Sequence, residues 1–522
     1  GTAQGGDEIV VVGTGFAEGM TVRFGDVGAG TVTLLGPKEL RVTTPPLIAG
    51  WLDVTATWPT GEELTLPAAF EALRLELKFV DVPAYSFPPM PEADTRAGAA
   101  GDVDKDSDVD LVLVSAGGPL VVLANDGNGN FEQVFPPVSE PPEPAPEGVV
   151  EGADQDVAGY PNQDVPAYPD DVVSPQDAPT GPGDSQASPG DGQGDLPDIV
   201  GTDVTTGPPP VLSYDARDVV LVDLDADGCL DAFVSSGPAG SNALLHGDCS
   251  GQFKDVTAKH LPEDPGDFGK IAVADVNGDH RPDILLANRS EVPGPQGGNR
   301  VYLQNAQAAL KFELAPPGTL PSHEESTATL VPIDVDRDGD VDIVVGNLSA
   351  SDGMYLRLLL AMPEGFVEAP AGMLPTAPGP VSHVAASDVD GDFDPDVIAI
   401  CAGGQDRLLR NDGTGYFFDD TLAAMPLDKA AGTTGLLADL DRDGFPDLLV
   451  GNSPHQDRLY LNSGTGKFHD YTPLLPIAQQ PTNGVLVLDA EGDHDMDLVL
   501  LNGLGVGSRL LLSVRPQGGG GR

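Results

Sequence analysis

The sequence predicts an all-β chain: a seven-bladed β-propeller closed by an N-terminal outer strand, preceded by a small β-sandwich and interrupted by a Pro/Asp/Gly-rich insert. Three observations predict it. An acidic nine-residue stretch returns seven times. A Phe that opens a strand also returns seven times. Gly 66 and Pro 50 with aromatics at 5% favour short strands and turns over helices.

The bulk numbers narrow the function. At 522 residues the chain can bury a large core in more than one domain. Its 82 acidic against 26 basic residues leave a formal charge of −56, which repels nucleic acid and anionic membrane. No apolar run reaches the roughly 18–20 residues of a membrane helix. The opening "GTAQGGDEIV" lacks Met and a signal-peptide pattern, and reads as a mature or trimmed product. Cys229, Cys249 and Cys401 form neither a disulfide scaffold nor a zinc cluster.

Residues 1–74 read as a separate unit. Between residues 5 and 70, short alternating strands are split by Gly and Pro-Pro turns, which describes a small sandwich. The strings "VVVGTGF", "VRFGD", "RVTTPP" and "GWLDVTATWPTGE" resemble an IPT/TIG domain, an immunoglobulin-like fold. That family opens with one more strand before the "GG", so the resemblance implies a missing first strand or an open edge. An open edge is a template for a second chain.

Residues 75–522 carry the repeat. The acidic stretches start at Asp102, Asp223, Asp275, Asp334, Asp388, Asp439 and Asp489, spaced 121, 52, 59, 54, 51 and 50 residues apart. Each lies between two apolar runs, as in "GLLADLDRDGFPDLLVGN". A third run, a Gly-rich turn and a fourth strand opening at Phe follow. Four strands per period of about 50 residues make one propeller blade. The strand-opening residues are Phe79, Phe131, Phe253, Phe312, Phe366, Phe417 and Phe468. Phe79 precedes the first acidic stretch, and only two strands follow the last. The strand around "LKFVDVPAY" therefore completes the seventh blade and leaves no open seam.

The acidic spacing points to a metal. Side chains at positions 1, 3 and 5 of a tight turn aim at one point, and the position-7 carbonyl with the position-9 carboxylate completes an all-oxygen cage. Such a cage suits calcium rather than zinc or magnesium. Gly at position 6 (Gly228, Gly339, Gly444) or position 4 (Gly278, Gly391, Gly492) relieves the turn. The first loop has Lys105 and Ser107 there instead, and the seventh has Glu491 at position 3. These two are expected to be the weakest sites.

The motif resembles the calcium loops of the FG-GAP and VCBS repeat family, found in integrin α-subunit propellers and bacterial surface proteins. The resemblance implies up to seven calcium ions, one in the first hairpin of each blade. Carried over, the first loop offers Asp102, Asp104, Asp106 and Asp110, with position 7 at Asp108. The second offers Asp223, Asp225, Asp227 and Asp231 with Cys229. The third offers Asp275, Asn277, Asp279 and Asp283 with Arg281, and the fourth Asp334, Asp336, Asp338 and Asp342 with Asp340. The fifth offers Asp388, Asp390, Asp392 and Asp396 with Asp394, and the sixth Asp439, Asp441, Asp443 and Asp447 with Phe445. The seventh offers Asp489, Glu491, Asp493 and Asp497 with Asp495. Seven divalent ions carry +14, which takes −56 to −42. Removing them leaves each hairpin repelling itself, so their expected role is structural.

Residues 137–208 form the insert. Rich in Pro, Asp and Gly, and with no Lys or Arg between Lys105 and Arg217, it cannot bury a core. Strand order places it on the face opposite the acidic loops. Cys229 and Cys249 sit in hairpins that share a face of one blade, which predicts a disulfide and an oxidising compartment. Cys401 reads as a buried apolar residue. Asn288 and Asn347 head glycosylation sequons, which are common by chance.

No catalytic group is expected. The eight His fall in unrelated places, with His280 and His494 in acidic loops and His246 in a hairpin, and none pairs with a nucleophile. The sequence therefore reads as a secreted, non-enzymatic, calcium-binding structural or adhesive protein of the cell surface. Its partners would be a protein or glycan, or further copies of itself. The alternatives are a subunit of an extracellular filament assembled by strand or arm exchange and, behind it, a propeller enzyme acting on polysaccharide.

Overall fold

The computed structural model describes residues 8–72, 77–82, 94–135, 215–290 and 298–514, apart from 13–14, 26, 30, 37, 45–49, 239, 309, 322–324, 378 and 504. The insert expected at 137–208, the boundary at 74/75 and the "GGGGR" tail lie outside the described residues. Strands dominate. Among the described residues helix is confined to single turns at Thr257–His260, Thr421–Ala424 and Thr472–Leu474.

The N-terminal region holds two sheets. Glu8–Val12, Glu39–Thr43 and Val32–Gly36 form one, and Val27–Gly28, Thr21–Phe24, Gly50–Thr57 and Glu63–Ala72 form the other. Strand alternation sends Val22 and Phe24 from one sheet, and Leu40 and Val42 from the other, into a shared core with Met20.

From Phe79 onward the described residues form seven four-stranded antiparallel sheets. The sixth shows the plan: Gly432–Ala438, Asp447–Asn452, Arg458–Asn462 and Phe468–Asp470. Its second strand, "DLLVGN", is buried at every position, as is the opening six-residue run of every second strand. Burial on both faces explains why these segments read as continuous apolar runs rather than alternating ones. The seventh sheet is Thr482–Leu488, Asp497–Asn502 and Arg509–Ser513, completed by Phe79–Asp81 with Phe79 opposite Ser513.

Apolar clusters join each sheet to the next. Val112 and Val234 share one cluster, as do Phe233 and Ile284, Leu285 and Val345, Val344 and Val397, Ile398 and Leu448, and Leu449 and Leu498. Leu111 and Leu113 of the first sheet pack with Val499 and Leu501 of the seventh. The first strands also lie side by side, and Thr95–Gly101 touches both Ala216–Val222 and Thr482–Leu488. Close approach of neighbouring sheets needs small residues on these strands: a Cβ at Gly435, on the first strand of the sixth sheet, would lie 2.8 Å from Ile400 Cγ1 of the fifth.

Candidate metal centres

Each acidic stretch forms the hairpin between a first and a second strand, and one hydrogen-bond pattern builds all seven. The position-6 N–H donates to the position-1 carboxylate in every loop, as from Gly228 to Asp223 at 2.9 Å and from Gly444 to Asp439 at 3.0 Å. The position-7 N–H donates to the position-5 carboxylate in every loop, as from Cys229 to Asp227 at 2.7 Å.

These bonds require a backbone that curls left-handed twice. Positions 4 and 6 have positive φ in all seven loops, for example Arg442 at 62° and Gly444 at 93°. Six loops place Gly at one of the two positions. The first places Lys105 at 63° and Ser107 at 81°, so its backbone carries side chains where glycine is favoured twice over. His280 and His494 occupy position 6 and are exposed. His246 lies on the strand Ala243–Gly247 rather than in a hairpin, with its Nε2 3.2 Å from Asp225.

The position-9 Asp has a second duty that its acidic spacing did not reveal. It is buried in every loop and clamps two backbone segments. Asp447 Oδ2 accepts the Leu440 N–H at 2.9 Å and Oδ1 accepts the Asn462 N–H at 2.8 Å. Asp110, Asp231, Asp283, Asp342, Asp396 and Asp497 repeat the arrangement, each holding the position-2 N–H and the N–H of the last or next-to-last residue of the third strand. Burial pushes these carboxyls up to about 6, and burial with the Asp441 charge pushes Asp447 up to about 8.

Carboxylate oxygens of positions 1, 3 and 9 converge within 4.8 Å in the first, second, fourth and fifth loops: Asp102, Asp104 and Asp110; Asp223, Asp225 and Asp231; Asp334, Asp336 and Asp342; Asp388, Asp390 and Asp396. In the third loop Asn277 Nδ2 donates to Asp283 at 3.0 Å. Asp102 Oδ1, Asp390 Oδ1 and Glu491 Oε2 are buried and accept no hydrogen bond. Burial, then Asp497, pushes Glu491 up to about 7. Convergent carboxylates with buried, unsatisfied oxygens fit a hard cation. A calcium ion at such a site would be held by positions 1, 3 and 9 and would supply the positive charge the loop lacks.

Basic side chains lean on several loops from elsewhere. Arg410 pairs with Asp390, Arg337 of the fourth loop with Asp394 of the fifth, and Arg442 of the sixth with Asp495 of the seventh at 2.9 Å. Cys229 and Cys249 are joined by a disulfide with a Cα–Cα distance of 5.0 Å, and Cys401 is a buried free thiol. The sequon residues Asn288 and Asn347 are buried, which leaves neither amide open to a glycan in the folded chain.

The comparisons with known proteins agree with these motifs. The FG-GAP-like repeat model matches residues 223–286, 388–450 and 439–500, and the IPT/TIG domain model matches residues 1–68. The chain carries FG-GAP-like repeats and an N-terminal IPT/TIG domain. Cartilage acidic protein 1 of Mus musculus is 23% identical over 294 residues, covering 53% of this chain and 45% of that protein, so the chain spans less than half of that relative. Among solved structures, BBS1N in complex with ARL6DN is similar over 85% of this chain and 99% of that chain, at 10% identity and TM-score 0.42. A Bacillus licheniformis rhamnogalacturonan lyase is similar over 98% and 90%, at 11% identity and TM-score 0.38.

Proposed function

We propose that the chain is an extracellular, calcium-stabilised scaffold of adhesive or structural type, without enzymatic activity. In this reading residues 75–522 are a seven-bladed β-propeller, residues 1–74 an IPT/TIG unit, and residues 137–208 an insert between blades. The observation that carries it is the position-9 clamp. The same aspartate that faces the cation locks its hairpin to the third strand, so each ion would rigidify a blade rather than present a reactive centre. Supporting it are the shared cores between successive sheets, including the first with the seventh, and the strand Phe79–Asp81 on the last. The extracellular setting rests on the FG-GAP-like repeats, the Cys229–Cys249 disulfide and the distant relative's name as a cartilage protein. A protein or glycan partner, or a second copy of the chain, would meet the rigid faces.

Light scattering of the purified chain in millimolar calcium, and again after chelation, tests the proposal. The expected result is a particle of single-subunit mass whose fold melts earlier once calcium is removed. High-mass particles that dissociate on chelation would make the chain a filament subunit instead. Indifference of both mass and melting to chelation would remove calcium from the account.

A further inference from the structure

Four basic side chains of a strongly acidic chain gather in one cavity of 530 Å³. It is lined from the first strand of every sheet, from Arg96 in the first to Asn483 in the seventh. The lining residues stand at the entry ends of those strands, and the acidic loops stand at the exit ends. The cavity therefore belongs to the end of the sheets remote from the carboxylates.

Three of the four cations are matched by acids, among them Asp94 of the cavity lining, 3.3 Å from Arg96 Nε. Arg96 Nη1 lies 2.5 Å from Asp215, Arg217 Nη2 3.0 Å from Asp215 and 3.6 Å from Asp267, and Lys270 Nζ 2.9 Å from Asp218. The fourth, Arg289, follows the second strand Asp283–Asn288, and its backbone N–H donates to Asp267 O. Among the described residues its guanidinium has no ion-pair partner. It reaches over Gly269, where a Cβ would come 2.9 Å from Arg289 Cδ. Although Arg289 is exposed, the protein packed around it and then the Arg217 charge push its guanidinium below the ordinary value, against the pull of Asp267 and Asp215. Arg217 Nε is also buried without a hydrogen-bond partner. Three neutral donors of the lining are already used: Ser382 Oγ and Thr433 Oγ1 donate to backbone carbonyls, and Asn483 Nδ2 to Thr95 O at 2.9 Å.

We propose that this cavity binds a small oxyanion, a carboxylate or a sulfate group, with Arg289 as its charge partner. Arg289 is exposed, and its planar fork of donors, set among three further cations and without a counter-ion, can take two oxygens of a carboxylate or sulfate at once. The volume suits a ligand of sugar-acid size, within the roughly 300–1,000 Å³ of small-molecule sites, and is too small for a folded partner. With those three donors occupied, the cations are the stronger attraction the lining offers, and they favour a charged ligand over a neutral sugar. The acidic loops at the other end play no part in this site.

Isothermal titration calorimetry of the full chain in calcium tests it, with sodium glucuronate, sodium sulfate and glucose as probes. The expected result is saturable one-site binding of at least one anion, no binding of glucose, and a loss of about tenfold or more in affinity for Arg289→Gln. Arg289→Lys should recover part of it. Glucuronate binding without sulfate assigns a sugar-borne carboxylate, and sulfate without glucuronate a free inorganic anion. Because the Arg289 guanidinium holds no ion pair, Arg289→Gln should melt no lower than the parent, which keeps lost binding distinct from lost fold. Absence of saturable binding by either anion, undiminished binding to Arg289→Gln, or glucose binding as tightly as glucuronate would overturn the proposal.

Discussion

Asp447 and Asn462 tie one repeat to its neighbour. Asp447 Oδ1 accepts the Asn462 backbone N–H at 2.8 Å, and Asn462 Nδ2 donates to the Val389 carbonyl of the preceding acidic loop at 2.7 Å. Val389 N–H is in turn held by Asp396, the position-9 residue of that loop. Asn411 reaches Val335, Asn125 reaches Ala490 and Gln304 reaches Leu224 in the same way. Asn462→Ala should cost about 1–3 kcal/mol, because it leaves the Val389 and Pro446 carbonyls without that donor. Urea unfolding in calcium measures the loss. Calcium titration should show the fifth and sixth loops binding more independently.

Calcium and protons should compete. The position-9 carboxyls are raised to about 6, and Asp447 to about 8, above an ordinary value of 3.8. A carboxyl raised on folding favours the protonated native state. Without metal, that contribution is present below the unfolded pKa and is lost as pH rises through about 6 to 8. Calcium needs the same groups ionised, so its stabilisation should grow over that window. Melting curves at pH 5 and pH 8, with calcium and with chelator, should show the calcium-induced shift larger at pH 8.

The first loop should be repairable. Ser107 is exposed, has φ 81° and stands where the second, fourth and sixth loops have Gly. Ser107→Gly should raise stability by about 1 kcal/mol by removing left-handed strain without removing a contact. Tighter calcium binding at that loop should accompany it. Unchanged melting and affinity would mean that the loop's strain is relieved elsewhere.

The strand Phe79–Asp81 should matter far beyond its length. Phe79 is buried in the core shared by the sixth and seventh sheets. Phe79→Ala should cost about 3–5 kcal/mol. Loss of protection in hydrogen exchange should appear first at Arg509–Ser513, the strand it pairs with.

The Cys229–Cys249 bridge closes a loop with a sequence separation of 20. Cys249→Ser should lower stability by about 3 kcal/mol through the freed unfolded chain. Denaturant midpoints of the variant and of the reduced parent should coincide.

Much of this was legible in the sequence because it is local. Positions 1, 3, 5 and 9 lie within one hairpin, so their spacing alone announces an acidic cage, and the Phe that opens each fourth strand, or follows its first residue as Phe366 does, marks the period. Two local features were harder to read. Position 9 looks like one more ligand, because the N–H groups it clamps carry no side-chain signature. The double left-handed turn was half visible, since each loop from the second onward spends its glycine at only one of two positions. The Asn before the Gly-rich turn in "LAND", "LLRND" and "LYLNS" was a signal for the inter-repeat link, but its acceptor is a backbone carbonyl in another repeat.

By itself the sequence determined the β class, the repeat period, the acidic loops and the cysteine pair, since each follows from residues a few positions apart or from simple recurrence. The tertiary structure decided the rest. It set Phe79 opposite Ser513, passed Asn462 to Val389, and gathered Arg96, Arg217, Lys270 and Arg289 around one cavity while leaving Arg289 unmatched. Those residues lie far apart in the chain, and no spacing rule relates them. Only the packing of sheet on sheet, with small residues where first strands approach, brings them within reach of one another.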